Sequence, residues 1–96
     1  MPSRVSEHIR VLGVDVDVLI RIEVAGGRLA RYSVVLRHRG RAVRSFDNAH
    51  GQHDMHRYDE QGRRLPAEKF SEGTVQDGLD AALAYVQESW QRIIEQ

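Results

Sequence analysis

Between Arg44 and Asp59 the chain reads R-S-F-D-N-A-H-G-Q-H-D-M-H-R-Y-D, which sets His50, His53 and His56 three residues apart among Asp47, Asp54, Arg44 and Arg57. Imidazole is the side chain whose ordinary titration lies nearest neutral pH, so this cluster carries the groups for acid–base catalysis, metal binding or anion recognition. Cleavage of RNA needs a base for the ribose 2′-hydroxyl proton, an acid for the leaving 5′-oxygen and a cation against the charge on phosphate. His53 and His56 can supply the acid–base pair and Arg44 or Arg57 the phosphate-binding cation, while Asp47 or Asp54 can orient an imidazole and set its tautomer. That scheme uses no metal and no cofactor. A divalent ion held by His50, His53 and His56 is the alternative. It requires Gly51 to fold the backbone over, because along an extended strand His53 and His56 point in opposite directions. Asp47-Asn48-Ala49-His50-Gly51 also has the composition of a tight turn, with Asn48 and Gly51 shaping the backbone.

The elements that must position these groups are legible as changes of period. From Val14 to Val24 the even positions are Val14, Val16, Val18, Ile20, Ile22 and Val24, a half-buried strand. Ala25-Gly26-Gly27-Arg28 allows the chain to reverse into a second strand, Leu29 to His38, with Tyr32, Val34 and Leu36 on one face. A turn at His38-Arg39-Gly40-Arg41 leads to a third strand, Ala42 to Asp47. Met55 to Asp59 is a candidate fourth, before the turn Glu60-Gln61-Gly62-Arg63. After Pro66 the period becomes helical, with Val75, Leu79, Ala82, Leu83, Val86, Trp90, Ile93 and Ile94 on one stripe and Thr74 with Asp77 as a capping box. The expected fold class is α+β, a four-stranded antiparallel β-meander with one C-terminal helix packed across one face. Trp90 belongs to that helix's core stripe, and residues 1–7 read as a flexible arm.

At 96 residues the chain is expected to be a single domain with a modest core. It has no cysteine, which excludes disulfides, thiol nucleophiles and thiolate metal sites and fits a cytoplasmic location. No apolar run is long enough for a membrane span. The zero net charge conceals an asymmetry: residues 1–44 hold nine Arg against four acids, and residues 45–96 hold five basic residues against ten acidic ones. Such a polar molecule suits RNA on its Arg-bearing surface, or a homodimer joined basic end to acidic end.

The segment F-D-N-A-H-G-Q-H-D-M-H-R-Y-D, with Arg44 before it, resembles the TumE-type toxins of bacterial toxin–antitoxin modules and allied small proteins. Those carry an aromatic-Asp-Asn stretch, then Gly and a histidine cluster, then a C-terminal helix. The resemblance covers mainly residues 44–59 and departs from the pattern in placing Asp54 and Met55 between His53 and His56. It points to Asp47, Asn48, His53 and His56, and implies a growth-inhibiting activity on RNA neutralised by a helix-turn-helix antitoxin. The competing expectation is a non-enzymatic homodimeric interaction module in which the histidine segment is a polar loop.

Overall fold

Gly26 and Gly27 both take positive φ, 59° and 73°, a backbone that side chains with a Cβ rarely adopt, and the strands on either side of them close into a hairpin. The computed structural model describes residues 2–95. Along the chain run β1 (Arg4–Gly13), β2 (Val16–Ala25), β3 (Arg28–His38), β4 (Arg41–Asp47), β5 (His53–Arg57), β6 (Glu68–Ser71) and α1 (Val75–Ile94). All six strands form one antiparallel sheet in sequence order, with α1 packed on it against β3, β4 and β6. No helix among the described residues is long and apolar enough to cross a membrane.

The α+β class and the single C-terminal helix agree with expectation, but the sheet has six strands rather than four. One strand is added at each end. Arg4 to Glu7, expected in a loose arm, pair with Val24 to Arg21, while Met1 lies outside the described residues. The reason β1 escapes a pattern reading is physical: α1 reaches it at its last residue, Gly13, and residues 4–11 are exposed on both faces, so no buried side imposes a strict alternation. β6 is a four-residue edge strand, too short to display a period. β5 starts two residues before Met55, so His53 is a strand residue.

One face of the sheet builds the core. Val16, Val18 and Ile20 of β2, Tyr32, Val34 and Leu36 of β3, Phe46 of β4 and Met55 of β5 pack under Leu79, Ala82 and Val86 of α1. Each Val, Leu, Ile, Phe or Met side chain among them, fully buried, stabilises by about 1.5–3 kcal/mol relative to exposure. At its start, α1 has the expected capping box: Asp77 N–H donates to Thr74 Oγ1 at 3.1 Å and Thr74 N–H to Asp77 Oδ2 at 3.0 Å. Towards its other end, the Trp90 indole lies on Gly13, where an added Cβ would stand 2.8 Å from the ring. The helix thereby spans the sheet from β6 to the β1–β2 turn.

The opposite face has no helix. Strand registers align a row of polar residues straight across it: Glu7, Arg21, Ser33, Asp47, Asp54 and Lys69, one from each strand. Beside it runs Ile9, Leu19, Val35, Ser45 and His56.

Candidate active site on the helix-free face

The turn between β4 and β5 decides which way the histidines point. Asn48 Oδ1 accepts from the Tyr32 N–H at 3.0 Å and Asn48 Nδ2 donates to the Ala30 carbonyl at 3.1 Å, so this side chain continues the β3–β4 ladder where the backbone leaves it. Gly51 takes φ 82° and donates its N–H to Asn48 O at 3.1 Å, closing the turn. Asn48 and Gly51 both take part in this turn. His50 sits in it and is exposed.

His53 and His56 leave the turn on opposite faces of β5. His53, 6 % exposed, lies on the helix side. Its Nε2 lies 3.2 Å from the Gly73 carbonyl, which can only accept, so Nε2 carries the proton. In that neutral tautomer Nδ1 accepts from the Tyr32 hydroxyl at 2.7 Å. The ring stacks on Tyr32 at 5.7 Å, meets Phe70 edge-on at 6.2 Å, and is pressed by Gly78 of α1, where a Cβ would fall within the imidazole itself. His53 joins the start of α1 to the centre of the sheet.

His56, also 6 % exposed, faces the other way. Its Nδ1–H donates to the Leu65 carbonyl at 3.1 Å, which leaves Nε2 directed towards Asp47 Oδ2 at 3.8 Å. Asp47 Oδ1 is held by the Ala49 N–H at 3.0 Å. Across the strand pair from Asp47 stands Asp54, only 2 % exposed, its Oδ1 accepting from Gln52 Nε2 at 2.8 Å. Two carboxylates directly opposite one another in a sheet repel, and of the two it is Asp47 that adjoins the His56 imidazole. Alongside, a cleft of about 310 Å³ is lined by Arg21, Glu23, Arg31, Tyr32, Ser33, Asp47, Asn48 and Ala49. Asp47 is thus shared between the His56 imidazole and a cleft flanked by two guanidinium groups.

Expectation and structure part over the remaining residues. An acid–base pair must reach one phosphate from both sides, and a strand residue three positions along points to the other face, so His53 and His56 cannot form one. Among the described residues no group of three His, Asp or Glu side chains is placed to hold a metal ion: His50 lies in the turn, and His53 and His56 leave β5 on opposite faces. Arg44 and Arg57, directly opposite each other in β4 and β5, lie on the helix side and away from Asp47. Arg57 Nε is held by Glu68 at 2.9 Å, and that hydrogen bond and charge push its guanidinium pKa further up. The strand alternation puts Arg21 and Arg31 on the sheet face left open to a partner, but nothing in the sequence joins them to the histidine segment, and Ser33 carries no signal of its own. The parity of β2 and β3 puts them on the helix-free face, but only the strand registers align them with Asp47.

Comparison with protein-family models, with curated proteins and with solved structures finds no match to the chain.

Proposed function

We propose that this protein is an RNA-directed, toxin-type ribonuclease whose chemistry lies on the helix-free face, with His56 as general base, Asp47 beside it and Arg21 and Arg31 receiving the phosphate. The observation that carries this reading is the His56 geometry: Nδ1 is fixed by a backbone carbonyl and Nε2 is directed to a carboxylate that lines an arginine-flanked cleft. With Nδ1–H engaged by a backbone carbonyl, Nε2 is the nitrogen left to exchange a proton, as an acid–base group requires, and the carboxylate beside it can take part in that exchange. In the reaction, Nε2 takes the ribose 2′-hydroxyl proton and the 2′-oxygen attacks phosphorus. The bond to the 5′-oxygen breaks, and that oxygen takes a proton from solvent at the open cleft. One base acting without a partnered acid contributes about 10²–10⁴-fold. RNA would be cut slowly, and cut in the presence of chelator.

The test is cleavage of single-stranded RNA by the purified chain with chelator present, together with growth on induced expression. His56→Ala is expected to lower cleavage by about 10²-fold or more and to relieve growth arrest. Arg31→Ala, at an exposed position, should weaken RNA binding without unfolding the protein. RNA left intact by folded wild-type protein defeats the ribonuclease reading. The partner in this reading is a helix-turn-helix antitoxin, and co-expression of such a neighbour should restore growth.

A second reading, a homodimeric interaction module, is favoured by one separate observation. β1 is an edge strand, and Val5, Ile9 and Val11 stand together on the helix-free side at 48 %, 61 % and 77 % exposure. Exposed apolar edge strands are templates for pairing. Sedimentation showing a monomer at high concentration removes this reading.

A further inference from the structure

Arg44 is a cation in a place where an unpaired charge is costly. Its position in β4 sets it beside Phe46 on the helix side, 6 % exposed. Nη1 donates to Tyr85 Oη at 3.1 Å and approaches Met55 Sδ at 3.9 Å, while Nε is buried with no hydrogen-bond partner. None of the ion pairs among the described residues includes Arg44. A guanidinium does not escape by losing its proton, so its desolvation is met in part by the Tyr85 hydroxyl and not by any counter-charge. Directly opposite stands a second guanidinium, Arg57, half exposed and tied to Glu68 on the β6 side. Two cations facing each other across a strand pair repel; Glu68 answers the charge of Arg57, and no carboxylate answers that of Arg44 among the described ion pairs.

We infer that the seam between β4, β5 and α1 is a phosphoryl-binding site, with Arg44 and Tyr85 in its wall and Arg57 at its mouth. A phosphoryl group would supply the counter-charge and acceptors that Arg44 lacks. Guanidinium forks bind such oxyanions with paired hydrogen bonds. Arg44, Arg57 and Tyr85 bring donors from two strands and a helix, more than a single planar carboxylate can take up. The site lies on the opposite side of the sheet from His56 and does not depend on the ribonuclease reading.

The test is a titration of the whole chain with inorganic phosphate, chloride being adjusted to hold ionic strength constant. Thermal melting and the Arg44 Nε–H nuclear magnetic resonance signal are followed together. In wild type the signal should move saturably and Tm rise by about 5 °C as phosphate passes well above its Kd. Arg44→Met should lose both responses and, without phosphate, melt no lower than wild type, because an apolar chain of similar length replaces an unpaired buried cation. Arg57→Gln, at a half-exposed position where folding is not at stake, should weaken phosphate binding about 10-fold, roughly one lost charge-assisted contact. His56→Ala should respond as wild type does. A single-stranded RNA lacking terminal phosphates that moves the Arg44 signal at lower concentration than phosphate identifies the RNA backbone as the source. Movement by inorganic phosphate alone identifies a free phosphate or phosphomonoester. An unmoved Arg44 signal, or an Arg44→Met protein that melts well below wild type while keeping its phosphate response, overturns the inference.

Discussion

Tyr32 and His53 show how a residue suited to chemistry becomes a fastener. The phenol is 3 % exposed and its hydroxyl donates to His53 Nδ1, so Tyr32→Phe leaves a buried acceptor unsatisfied and should cost about 1–3 kcal/mol, read as a lower Tm with the sheet intact. Burial first, then the nearby charges of Asp47 and Asp54, push the Tyr32 pKa from 10.0 up to about 12. Only the neutral phenol is favoured by folding. The stability it contributes is therefore complete below pH 10 and disappears as pH rises from 10 towards 12. Tyrosinate absorbance should show a late step near pH 12, and Tyr32→Phe should abolish it. Gly78 offers a test with an inverted sign. Glycine to alanine inside a helix ordinarily stabilises by up to about 1 kcal/mol, yet Gly78→Ala drives a methyl into the His53 ring and should destabilise by about 3 kcal/mol. In Gly78→Ala combined with His53→Ala the two losses should be less than additive, measured by denaturant unfolding.

Among the elements, β1 and α1 are held in different ways. β1 is held by its ladder with β2, by Leu12 against the core and by Gly13 under Trp90, and its outer edge is unpaired among the described residues, so its amides should exchange fastest of the six strands and those of β3 slowest. Equal protection in β1 and β3 would mean that β1's outer edge is covered, as the homodimer reading requires. At α1, Thr74→Ala removes one half of the capping box and should cost about 1 kcal/mol. For a chain of this size that is a fall of about 4–8 °C in Tm, with RNA cleavage unchanged, because the cap lies on the side of the sheet away from His56.

In the whole molecule, α1 divides the chemistry in two. It covers one face of the sheet and converts His53 into packing, while the other face retains His56, Asp47 and the arginine-flanked cleft. The alternation over β2 and β3, the glycine-bearing reversal between them, the Asn48–Gly51 turn and the capped helix stripe were all legible in the chain, because each is a local property of consecutive residues. The two outer strands were not, since β1 buries neither face and β6 is too short to show a period. Composition and spacing likewise brought His53, His56, Asp47, Arg44 and Arg57 into one segment, but proximity along a strand alternates between faces. Which imidazole meets a carboxylate, which is enclosed by a helix, and that Arg21, Arg31 and Ser33 line up with Asp47 depend on register and on the face that α1 covers. Both are set by contacts between residues far apart in the chain, and no window of sequence contains them.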